Sequence, residues 1–181
     1  MHRITIVRLA AVATAAAAAV LVAVPSQAAT AGATGTVSGK ELISGVAFGK
    51  NAISSHTTYP LTFTGLVRTT SIFTPPSGNR AVLPTPRGNL GAMLVPPMKG
   101  HLVSLDKRTC YGVEQFTAGL RVATGTSTGV FAGATGKGSV TLMFGAFLPR
   151  KNGACNPQGN PVSAKDAFST LDARLALTLR T

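Results

Sequence analysis

Few residues of this chain are of types that do chemistry, and their spacing is loose. His56 lies in the polar stretch 54–58 and His101 follows a glycine, while the five acidic residues, Glu41, Asp106, Glu114, Asp166 and Asp172, are scattered. A histidine beside a carboxylate can act as a general base. Here no serine elbow accompanies either histidine, and no spacing signals the paired carboxylates of a glycosidase. No catalytic residue is therefore assigned. Neither histidine stands at ligand spacing to the other or to Cys110 and Cys155, which argues against a metal site, and nothing points to a cofactor. Tyr59 and Tyr111, with no tryptophan, offer little stacking surface, so specific nucleic-acid recognition is not expected.

Charge and cysteines say more. The chain carries 17 Lys and Arg against five acidic residues, a formal net charge of +12. Such a field draws anions and speeds encounters with them; scattered as these cations are, they also serve solubility. Two cysteines, Cys110 and Cys155, are expected to oxidise to a disulfide if the chain leaves the cytoplasm.

The first residues favour that route. Arg3 and Arg8 precede the apolar run 9–24, broken only by Thr14, and Pro25-Ser26-Gln27-Ala28 follows. This is the layout of a secretory signal peptide over 1–28 in a bacterial protein, cleaved near Ala28 or after Ala31. The alanine-rich run is shorter than the about 20 residues of a spanning helix, and no later stretch approaches that length, so the mature chain is expected to have no transmembrane segment and to be extracellular. Cleavage removes two of the cations and leaves a chain of single-domain length. Residues 29–39, rich in Ala, Thr, Gly and Ser, read as a flexible leader, and 40–181 as the folded domain.

Within 40–181, period-two alternation recurs. Leu61, Phe63, Gly65 and Val67 alternate with Thr62, Thr64, Leu66 and Arg68, with 69–74 continuing past a bend. Residues 101–105, the set Glu114, Phe116, Ala118, Leu120 and Val122, the set Val140, Leu142, Phe144, Ala146 and Leu148, and the set Leu171, Ala173, Leu175, Leu177 and Leu179 read as further strands. A loose strand is expected at 41–48, and a helix or turn at 163–168. Six prolines in 75–97, with turn signals at Gly78-Asn79 and Gly88-Asn89, predict an edge strand or a long loop there, a candidate lid or binding loop. Many short alternating segments separated by turn residues predict an all-β fold, a single small antiparallel sandwich or barrel.

One stretch carries a resemblance. Thr128-Gly129-Val130-Phe131-Ala132-Gly133-Ala134-Thr135-Gly136-Lys137-Gly138 resembles a motif of exported actinobacterial proteins of unknown function, and is similar to the Gly-Thr-Gly-x-Phe hairpin of dirigent proteins and allene-oxide-cyclase-like barrels. The resemblance implies an antiparallel barrel of about eight strands; it transfers no catalytic residue. Read physically, the glycines permit a tight connection and Phe131 is expected to pack into the barrel end. The stretch is no phosphate loop, because Gly136-Lys137-Gly138-Ser139 misses the spacing and a strand follows.

If the strand ending at Thr124 pairs with one starting at Gly138, Cys110 falls opposite Asn152, near Cys155, and a bridge could close the hairpin with Cα atoms roughly 5–6 Å apart. That would gather Lys107, Arg108, Arg150 and Lys151 into a candidate anion-binding patch. The function expected is binding of a small apolar ligand or an anionic cell-envelope polymer by a secreted basic barrel. The alternatives are a dirigent- or cyclase-like enzyme using the barrel interior, and a structural or interaction protein with a filled barrel. About eight strands can enclose either packed side chains or one small ligand.

Overall fold

A computed structural model describes residues 35–181 apart from Ser55 and Ser77. The expected signal peptide, its cleavage near Ala28 and the first part of the expected leader lie outside the described residues. The strands are β1 (Thr36–Phe48), β2 (Tyr59–Gly65), β3 (Thr69–Phe73), β4 (Arg80–Thr85), β5 (Gly88–Asp106), β6 (Tyr111–Val122), β7 (Thr135–Phe147), the two-residue pair β8 (Arg150–Lys151) and β9 (Ala154–Cys155), and β10 (Ser163–Arg180). One short helix, α1 (Gly49–Ala52), follows β1.

Eight strands form one antiparallel sheet in the order β3-β2-β1-β10-β7-β6-β5-β4, curled into a nearly closed barrel. β3 and β4 lie against each other across the seam, but no hydrogen-bonded ladder joins them among the described residues. β8 and β9 form a separate hairpin.

Alternation accounts for the interior. Leu61 and Phe63 on β2, and Leu171, Ala173, Leu175 and Leu177 on β10, are buried, while Thr62, Thr64, Asp172 and Arg174 are not. Successive residues of a strand point to opposite faces, so one face of each strand feeds a common core. Each large apolar side chain placed there contributes about 1.5–3 kcal/mol.

Several expectations need correction. β1 begins at Thr36 and pairs Thr36 with Arg180, so the last four residues of the segment read as a flexible leader are strand. Residues 69–73 fold back as a separate strand, β3, paired with β2. Residues 163–168 form no helix: they open β10, with Asp166 at φ 55° and a register shift between Ser163 and Phe168. The proline-rich segment divides. β4, with Pro84 opposite Asn89, is the sheet edge that its prolines predict, whereas residues 88–97 lie in β5, which pairs with β4 from Gly88 to Met93 and beyond that pairs with β6 alone. That strand absorbs Pro96 and Pro97 in a register shift between Val95 and Lys99.

The β6–β7 register also differs. Leu120, not Thr124, lies opposite Gly138, and Cys110 is level with Leu148, whose amide donates to the Cys110 carbonyl at 2.9 Å. The connection is longer than a tight hairpin because two 3-10 turns, Thr124–Thr126 and Gly129–Phe131, use up the intervening residues. Phe131 is wholly buried with its ring 6.3 Å from that of Phe63, so this connection stoppers one barrel end. Gly88 (φ 124°) and Gly129 (φ 59°) cross there backbone to backbone. A Cβ on Gly88 would collide with the Thr128 carbonyl, which leaves room only for glycine.

Candidate functional site

At the end opposite Phe131, coverage is uneven. α1 packs against β10 and buries Ala52, and beneath it the hydroxyls of Tyr59 and Ser169 are hydrogen-bonded in the core. The rest of that end is bordered by the β3–β4 connection. Behind this connection the barrel is hollow, with a cavity of about 100 Å³. Ile43, Leu90, Leu120, Val140, Leu171 and Leu175 form its walls, and Ala81, Ala92 and Ala173 supply the space. Pro75, Pro76, Gly78 and Asn79 border it from the connection. Small residues on inward faces otherwise occupied by leucine leave volume that neighbouring side chains do not fill. A void lined this way is one that water has little reason to occupy.

Among the described residues, Glu41 is the buried carboxylate of the barrel, 0% exposed on the inward face of β1. One carboxylate oxygen accepts the Val67 amide at 2.8 Å, which pins the β2–β3 turn; the other, Oε1, is buried with no hydrogen-bond partner. Burial pushes the Glu41 carboxyl above the ordinary 4.5, and the Val67 and Leu66 amides only partly offset this. Glu41 does not line the cavity.

The second assembly lies around the disulfide. Cys110 and Cys155 are bridged, with Cα atoms 5.3 Å apart. The Arg150 guanidinium donates to the carbonyls of Arg108 at 2.6 Å, Lys107 at 3.3 Å and Gly153 at 2.9 Å. The structure thus brings Lys107, Arg108, Arg150 and Lys151 to one exposed region, as the spacing suggested, although through a different register. Arg150 also has a structural task there that its charge alone did not reveal. Asp106 stands within this group. The Thr109 hydroxyl and then the Arg108 amide hold its carboxyl below the ordinary 3.8. Nearby, burial and then the Asp166 charge raise the Tyr111 hydroxyl above its ordinary value, and that hydroxyl donates to the Asp166 carbonyl at 2.6 Å.

His56 lies in the β1–β2 connection, where its amide donates to the Ser54 hydroxyl, and His101 is exposed on β5 opposite Gln115. Among the described residues no three His, Cys, Asp or Glu side chains gather as a metal site, and no helix is long and apolar enough to cross a membrane. The cavity residues and Glu41 were not singled out as a site from sequence. The signal was faint: alanines at 81, 92 and 173 and one acidic residue in a glycine-interrupted strand. No family model, curated protein or solved structure matches the chain.

Proposed function

We propose that this protein is an exported binding protein that holds a small apolar molecule inside its barrel. The apolar cavity carries this reading: a void walled by strands β1, β3–β7 and β10, with, among the described residues, a single polar side chain in its lining. Ligand sites are typically concave and mostly apolar, with a few placed polar groups. The Cys110–Cys155 bridge and the secretory layout of 1–28 support an oxidising compartment. A dirigent- or cyclase-like enzyme would need ionisable groups around the reacting atoms, and Glu41 does not line the cavity, so carriage is preferred to catalysis.

Thermal unfolding with and without ethylbenzene tests the reading. A ligand that binds only the folded state raises stability by RT ln(1 + [L]/Kd), so the midpoint should climb with concentration. In Ala173→Leu, which fills the void, that response should vanish. A response of equal size in the filled variant would refute it.

A second reading rests on the cationic group around the bridge. Lys107, Arg108 and Lys151, held near Arg150, suit contact with an anionic cell-envelope polymer outside the barrel, and the two functions are compatible on one molecule.

A further inference from the structure

Among the described residues, Asn79 is the one polar side chain of the cavity lining. It ends the β3–β4 connection, and its backbone carbonyl accepts the Leu94 amide at 2.7 Å, which ties the residue to β5. Gly78, Asn79 and Leu94 also border a more open groove that continues along Val95, Pro96, Met98 and Ala118. Asn79 is exposed and so stands where the dry interior meets solvent. A carboxamide offers one acceptor oxygen and two N–H donors. Among the described residues no hydrogen bond engages the Asn79 carboxamide, so its donors and acceptor are available to an incoming group.

The geometry points to a ligand class: a compact apolar body carrying a single hydroxyl or carbonyl at one end, with the body in the barrel and the polar end on the Asn79 carboxamide. This deepens, and rests on, the reading of the cavity as a ligand site. A polar group placed deeper, against Val140, Leu142 or Leu171, would find no partner and would bear the full cost of desolvation. At the mouth the same group keeps both a protein partner and access to water. The body must be small. An apolar cavity of about 150 Å³ takes up benzene in another protein, and this one, at about 100 Å³, suits a single ring seated with one edge in the mouth. The groove beyond Asn79 leaves room for that polar end.

Benzyl alcohol and ethylbenzene share a ring and differ in having a hydroxyl or a methyl group at the same position. The experiment measures the dissociation constant of each for the full chain, for Asn79→Leu and for Asn79→Ala, by ligand-observed NMR. Comparing the ratio of the two constants between the parent and each variant cancels the probes' different hydration. The expected result is that both variants shift the ratio against benzyl alcohol by roughly 3- to 10-fold, the worth of one hydrogen bond. Both variants should melt like the parent, because the backbone carbonyl, not the side chain, ties this residue to β5. An unchanged ratio with both probes bound would overturn the role of Asn79 and leave the cavity reading standing. Failure of the parent protein to bind either probe would overturn both.

Discussion

Replacing Glu41 with Gln should make the protein more stable at neutral pH and remove one source of its pH dependence. In the folded chain the carboxylate is fully buried, with one oxygen on the Val67 amide and the other without a partner. Its carboxyl is raised above the ordinary 4.5, so between that value and the raised one the folded state holds a proton that the unfolded state has lost. Stability then falls as pH rises through this window and levels off above it. Glutamine keeps an acceptor for Val67 and has no charge to bury. Near pH 4 the two proteins should melt together; at pH 7.5 the variant should lead by the cost of ionising a partly satisfied buried group, about 1–3 kcal/mol. For a domain of this size each kcal/mol moves the midpoint by about 2–4 °C, so the gap should be about 2–12 °C. Asp106 runs the other way. Its lowered carboxyl stabilises above 3.8 and loses that effect as pH falls, outside the window of Glu41. Thermal melts from pH 4 to pH 8, followed by circular dichroism, provide the test. Parallel curves for the parent and Glu41→Gln across that range would refute the reasoning.

Three further outcomes are expected. Replacing Cys110 and Cys155 together with Ser should cost about 4 kcal/mol in denaturant unfolding, the loop-entropy value for the 45-residue separation; a loss below about 1 kcal/mol would mean that the bridge constrains little. Phe131→Ala should cost about 3–5 kcal/mol, because this buried ring stoppers the barrel against Phe63; equilibrium unfolding measures it. Changing Lys107, Arg108 and Lys151 together to Gln, while leaving Arg150 to its backbone carbonyls, should weaken binding to an anionic polymer such as heparin by roughly tenfold at low salt. Changing the exposed Lys40 and Lys50 should do much less, and equal losses would show that only net charge matters.

The sheet was legible where one physical rule dominates. Leu171, Ala173, Leu175 and Leu177 alternate with Asp172, Arg174 and Ala176 because only one face of β10 is dry, and the period survives into the barrel. Phe131 was legible for a similar reason, as a large apolar residue set among glycines. The register was not. Turns at Thr124–Thr126 and Gly129–Phe131 depend on contacts with β5 and β10, which no local pattern encodes. The outcome for the disulfide was nonetheless the expected pairing, because the β8–β9 hairpin carries Cys155 back toward Cys110. β5 passes through Pro96 and Pro97 beyond its pairing with β4 and at a register shift against β6, the edge and bulge positions where a strand tolerates proline. The start of β10 was misread because Ser163 and Asp166 have helix-capping chemistry, whereas Asp166 adopts a left-handed conformation at a strand irregularity. The cavity was the least legible feature. Whether an alanine such as Ala173 leaves space depends on what stands opposite it across the barrel, and alternation within one strand does not carry that information.

If the proposed function holds, the interior of the barrel accepts a small apolar molecule. Isotope-filtered NMR on methyl-labelled protein saturated with ethylbenzene tests it most directly. The expected result is cross-peaks from the ligand to methyl groups of Ile43, Leu142, Leu171 and Ala173, and none to the outward-facing Leu42 or Val46. Cross-peaks confined to outward-facing methyl groups, or none at all at saturating ligand, would contradict it.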